Sequence, residues 1–260
     1  NVSLNNIEWV QGTNLPVEKR DHRVVKLNDG RILVVGGGNV AAISTAQTWF
    51  GNISGTTITW TAGTPLPQPR RLHTCTILAD NRILVTGGFD VVTKAESYFG
   101  TISGNTISWA NGTNLTFSSH SHQASLTSDN SVIITGGIDT SSGIHSNVYV
   151  SRISGNSIVW TRINSLPNSR TSHSQITIPD GRILITGGTN PSDVPEMNVW
   201  FGMTSNSGVA WEKSLHLPER MTTHTMVALN DGRILINRGF RGVALSNCYF
   251  MKILVAGIKT

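Results

Sequence analysis

Five histidines recur along this chain, His22, His73, His122, His173 and His224, at intervals of 51, 49, 51 and 51 residues. Imidazoles gathered around one axis could hold a metal ion or carry protons. One side chain from each of five copies stands too far from the others to share an ion if each packs toward its neighbour. An imidazole hydrogen-bonded between copies is the favoured reading, and no metal site is expected. His120, His145 and His216 break the period and are freer to act.

A second set of candidate groups is cationic. Arg20, Arg70, Arg170 and Arg220 precede the repeated histidines, and Arg238 and Arg241 stand together in the last copy. A guanidinium fork can hold a carboxylate, a phosphate or a peptide carbonyl. Two readings stand: these arginines grip a ligand, or they tie loop carbonyls of one copy to the next. In Asn237-Arg238-Gly239-Phe240-Arg241-Gly242 a long cation occupies the first of two expected glycine positions. That segment is either a drifted terminal repeat or an anion-accepting corner. Of 15 carboxylates, five lead turns, and the remaining ten form no pair suited to acid–base work. No nucleophile–base spacing is present, so neither an enzyme nor a cofactor is expected.

The elements that position these groups repeat as well. Trp9, Trp60, Trp109, Trp160 and Trp211 keep the period, as do Asp29, Asp80, Asp129, Asp180 and Asp231, each seven residues after its histidine. A fixed period near 50 residues means one supersecondary unit copied five times. In the first copy, His22 to Leu27 reads as a short strand and Asn28-Asp29-Gly30 as a tight turn. The unbroken apolar run from Arg31 to Val35 reads as a strand buried on both faces. Gly36 and Gly37 end it. A variable loop follows, then strands from Thr48 to Ile53 and from Thr57 to Thr61, joined at Ser54-Gly55.

Each unit is thus four antiparallel strands with two apolar faces, and such sheets bury one another when stacked around an axis. The expected fold is an all-β, five-bladed β-propeller forming a single domain over residues 1–260. Its blades fall at about 20–62, 70–111, 119–162, 170–213 and 220–260 plus 5–10. The N-terminal strand around Asn6-Ile7-Glu8-Trp9 is expected to pair with the last blade, closing the ring and hiding its edges.

These units resemble kelch repeats, and more narrowly the units related to the galactose oxidase propeller. The resemblance rests on Gly36-Gly37, Gly87-Gly88, Gly136-Gly137 and Gly187-Gly188, on the DGRILV-type strand before them, on the Pro-rich approach with its arginine, and on the later aromatic and Trp. It implies a propeller and, most often, a protein-binding role. The aromatic-to-Trp spacing of 11 residues (Tyr98 to Trp109) is wider than usual in that family, and five blades make a small ring. The oxidase site of two tyrosines, one crosslinked to Cys, and two histidines has no counterpart here. Tyr98, Tyr149 and Tyr249 all occupy the repeated third-strand position, where packing explains them.

The turns between strands one and two, and between three and four, are short and monotonous, and they share one face of the ring. The opposite face carries the loops after Gly-Gly and the crossings between blades, and these differ. Binding residues on a rigid scaffold sit on such loops. The expected ligand-binding set is Asn39, Asp90, Asp139, Asn190 and Arg241 from the loops, Arg70, Arg170 and Arg220 from the crossings, and Arg238. Loops as unlike as DVVTKAE, TSSGIHS and NPSDVPE suit one asymmetric surface for a protein partner. A carbohydrate-binding propeller is the alternative, if the repeated tryptophans are exposed as stacking platforms.

Bulk composition narrows the partners further. The net charge of +5 is mild and its arginines are spread by the repeat, so nucleic acid is not expected. No apolar run reaches the ~20 residues of a membrane helix. Cys75 and Cys248 fall on non-neighbouring units, so no disulfide is expected between them. The low charged fraction of 13%, with abundant Ser, Thr and Asn, slightly favours an extracellular or cell-surface protein, expected as a monomer.

Overall fold

A computed structural model describes residues 10–205, 208–237, 239 and 248–253. It is an all-β, five-bladed propeller, with no helix among the described residues. The first blade runs Arg23–Lys26, Ile32–Val35, Thr48–Ser54 and Thr57–Ala62, each strand antiparallel to the next. The second to fourth blades repeat this order. The fifth shows Thr225–Ala228, Arg233–Asn237 and Cys248–Lys252. The expected partner strand at residues 5–10 lies outside the described residues but for Val10. Strand ends agree with the repeat-based reading to within one residue in the first blade.

The apolar runs explain the packing. Leu33, Val34 and Val35, with their counterparts Leu84, Ile134 and Ile185, are at most 2% exposed, because both faces of each second strand are covered by neighbouring blades. The innermost strands touch in sequence around the axis from the first blade to the fifth. The second blade adds a small hairpin, Phe89–Asp90 with Val92–Thr93, inside its variable loop.

The paired glycines have a steric cause. Gly37 has φ 95°, and a Cβ there would lie 2.7 Å from the Cβ of His22. Gly36 has φ 59°, and its Cβ would lie 2.8 Å from Cε1 of His73 in the next blade. The histidines of two adjacent blades therefore clamp one Gly-Gly corner, where no side chain fits.

The two faces separate as expected. On the turn face, Arg31 Nη1 donates to the Gly104 carbonyl at 2.9 Å and to Asn105 Oδ1 at 2.8 Å in the next blade. Arg82 does the same to Gly155 and Asn156. Each of Arg31, Arg82, Arg182 and Arg233 also pairs with the Asp two residues before it and lies 4.4–4.7 Å over a third-strand Phe. Among the described residues no helix is long and apolar enough to cross a membrane.

Candidate functional site

The loop face is built from the crossings. The amide N–H groups of Gly37, Gly88, Gly137 and Gly188 donate to the carbonyls of Arg70, Ser119, Arg170 and Met221 at 2.8–2.9 Å. Those four residues are therefore equivalent, each three positions before its histidine, and Lys19 holds the same place before His22. Arg70 and Arg170 are fully buried. Arg70 Nη1 donates to Gly87 O at 2.7 Å and Glu96 O at 3.2 Å, and its guanidinium lies 4.7 Å over the Tyr98 ring. Arg170 Nη1 donates to Gly187 O at 3.0 Å, and Lys19 Nζ to Gly36 O at 3.0 Å. Of the two readings of these arginines, the contacts are those of a carbonyl tie, made within the blade that each crossing enters.

Arg20 and Arg220 do not belong to this set, because they stand two and four residues before their histidines. Both are exposed; Arg20 meets Asp21, and Arg220 Nη1 donates to Pro195 O at 2.9 Å. Counting back from each histidine would have separated them. Arg238 and Arg241 lie outside the described residues.

Three of the four remaining loop residues hold their own loops. Asn39 Oδ1 accepts from Ile43 N at 3.0 Å. Asp139 Oδ1 accepts from the Ser141 amide and hydroxyl and from Gly143 N, and the Ser141 hydroxyl chiefly holds its carboxyl below the usual range. Asn190 Oδ1 accepts from Ser192 N and Val194 N. Asp139 and Asn190 make Asx turns, and all three side chains bond their own loop backbone, as short polar side chains do. Asp90, in the small hairpin, is half-buried.

The repeated histidines sit between blades. Thr135 Oγ1 lies 2.8 Å from His173 Nε2, and Thr186 Oγ1 lies 2.7 Å from His224 Nε2. His122 Nε2 lies 3.3 Å from Thr74 Oγ1. Burial holds the His122 imidazole down to about 3 and His224 to about 4, so both are neutral.

The residues before the repeated histidines are joined from blade to blade by four backbone bonds. Leu72 N donates to Asp21 O at 3.0 Å, Ser121 N to Leu72 O at 2.9 Å, Ser172 N to Ser121 O at 2.9 Å, and Thr223 N to Ser172 O at 2.8 Å. Asp21 and all four donors have φ between 53° and 56°. In the four donors the left-handed conformation accompanies an N–H directed to the preceding blade, and that bond offsets its cost.

The position before these residues is where the blades differ: Arg20, Arg71, His120, Thr171 and Thr222. Arg71 Nη1 meets Asp21 Oδ2 at 3.2 Å, and its guanidinium lies 5.0 Å over Phe89. Phe89 meets His120 edge-on at 5.3 Å. Burial first, then the Arg71 charge, lowers the pKa of His120. Asp21, Arg71, Phe89 and His120 thus form one charged-to-aromatic chain across three blades. On the fourth and fifth blades the rim is hydroxyl-lined, and Thr189 Oγ1 donates to Thr222 Oγ1 at 2.8 Å. Sequence reading singled out His120 through its break in the period but missed Arg71 and Phe89, which carry no local signature.

Outside this rim the loop tips of the first two blades are apolar. Val40 and Ile43 on the first blade are 75% and 64% exposed, and Val91 and Val92 on the second are 87% and 58% exposed. The two loops adjoin, since Ser44 Oγ donates to Phe89 O at 3.1 Å.

Among the described repeated tryptophans, Trp160 is buried and Trp60, Trp109 and Trp211 are half-buried. Trp60, Trp109 and Trp211 lie over the third-strand glycines Gly51, Gly100 and Gly202, where a Cβ would come 2.5–2.7 Å from the indole. The indole N–H of Trp60, Trp109 and Trp160 donates to the carbonyls of Thr13, Thr64 and Thr113 at 3.2–3.4 Å. No known protein-family model matches this chain, and a search of curated proteins finds no matching relative.

Proposed function

We propose that this protein is a non-catalytic binding module that grips a protein partner through the loop face of its first three blades. The propeller itself we assign to the kelch type, within the galactose oxidase propeller superfamily and without the oxidase site, on the Gly-Gly corners and the repeated aromatic and Trp. Propellers commonly serve as interaction scaffolds, and an asymmetric rim is what a single protein footprint requires.

One residue carries the reading. Val91 holds φ 60° at the tip of the Phe89–Asp90 hairpin while 87% exposed. The same loop position is Ala42, Ser142 and Asp193 in the first, third and fourth blades, with φ 58–62°. A left-handed conformation at a β-branched residue costs on the order of 1–2 kcal/mol. Exposure of that side chain to water returns nothing to the fold. Contact with a partner would, and Val40, Ile43 and Val92 extend the same apolar patch.

The test compares the native chain with a Val40→Ser/Ile43→Ser/Val91→Asn variant as bait in the native extract, beside a glycan array. The reading expects one protein retained by the native chain and lost by the variant, with circular dichroism unchanged and the array silent. Undiminished retention by the variant, or binding confined to glycans, overturns it.

A further inference from the structure

One cation interrupts the innermost strands. The residue after each repeated histidine is Arg23, Thr74, Gln123, Ser174 or Thr225. Four blades place a neutral polar side chain at this station, and the first places a guanidinium. Arg23 Nε donates to the carbonyl of His73 in the next blade at 2.6 Å. Its side chain therefore crosses from the first innermost strand to the second.

That carbonyl lies on the strand edge that faces the axis. Leu78 N bonds Arg82 O at 2.9 Å, and bonding alternates along an antiparallel ladder. Thr76 and Thr74 therefore also bond the second strand of their blade. The backbone groups of His73 and Cys75 turn the other way, to an edge that no strand pairs among the described residues. The His73 carbonyl is taken by Arg23, and the Cys75 N–H is the next donor along the same edge.

The guanidinium is left without a counter-charge. Among the described residues Nη1 and Nη2 have no hydrogen-bond partner, and no carboxylate pairs with Arg23. Asp21, two residues away, is held by Arg20 and Arg71. The neighbouring imidazoles bring no negative charge. Burial first, and then the Arg23 charge, lowers the pKa of His122, and the same charge acts on His73 and His173. Arg23 is half-buried, so an ion can reach it. A cation drawn partly out of water is costly until an anion meets it.

We propose that Arg23 and the Cys75 amide form an anion site at the innermost strands of the first two blades, taking a small oxyanion, phosphate or carboxylate. The two oxygens of such a group can meet the open Nη side of the fork and the amide together. The repeat supplies the axis-facing amide in every blade, and only the first blade supplies the charge.

The inference is independent of the protein partner proposed above. Its test follows the backbone amide resonances of the native chain by NMR while inorganic phosphate or acetate replaces chloride at constant ionic strength. The expected result is a saturable shift centred on Cys75. Saturation by phosphate alone, or by acetate alone, supports the site and says which oxyanion fits it. Shifts confined to Arg20 and Arg71 or to the turn-face arginines overturn the proposal, as does no saturable shift with either anion. In parallel, Arg23→Gln is expected to abolish the saturable shift. Lys26→Gln, which removes an exposed charge from the same strand, is expected to bind as the native chain does. Equal weakening in both variants means general charge screening and overturns the site. The native-chain measurement stands whether or not Arg23→Gln folds.

Discussion

The amide N–H of Ser172 donates to the carbonyl of Ser121, 2.9 Å away in the preceding blade. That bond is one of four that link the residues before the repeated histidines from the first blade to the fifth. It accompanies the left-handed φ of the residue before each repeated histidine. Arg20, Arg71, His120, Thr171 and Thr222, each one residue before these linked positions, stand at equivalent stations. The scaffold is thus repeated in backbone, and individuality is left to side chains.

Arg70 supports the face from below. Arg70→Ala leaves the Gly87 carbonyl without its buried donor and opens a cavity, with an expected loss of about 3 kcal/mol in urea unfolding. Arg70→Met keeps the aliphatic packing, as Met221 does at the same station, and is expected to cost about half as much. A ligand-gripping role for Arg70 would instead give lost binding with stability intact.

Val35 breaks a local rule. Thr86, Thr135 and Thr186 face the imidazole of the following blade, but Val35 stands at that place opposite His73. Neither ring nitrogen of His73 has a hydrogen-bond partner in the described structure. Val35→Thr is expected to hold or raise stability by about 1 kcal/mol, whereas the same exchange at the buried Val85 is expected to destabilise. Equal losses at both positions would contradict the assignment.

Acid should weaken the fold well before its carboxylates titrate. Burial, with help from Arg70 and Arg170, holds His73 and His173 well below 6.5, and burial holds His122 to about 3 and His224 to about 4. Each is neutral when folded and takes a proton near pH 6.5 when unfolded. Their stabilisation is therefore full above pH 6.5 and is lost as pH falls toward 4, by up to ~1.4 kcal/mol per pH unit for each histidine. The urea midpoint is expected to stay level from pH 7 to 8 and fall steeply below 6.5. His224→Gln, which can still bond Thr186, should remove one histidine's share of that slope.

Much of this architecture was legible in the chain. A 50-residue period and apolar runs such as Leu33 to Val35 are local signals, and they set the blade number, the strand register and the face that varies. The Gly-Gly corners and inter-blade histidines follow from the same repetition, because each copy meets identical neighbours. The site was legible only in part. Arg70 and Arg20 look alike in sequence, and one register step sends the first inside the blade and leaves the second in water. Asn39, Asp139 and Asn190 open variable loops but bond their own backbone. Asp21, Arg71, Phe89 and His120 come from three blades, and their contact depends on how the sheets rotate about the axis. That rotation is a property of packed tertiary structure, which no local pattern of residue types encodes.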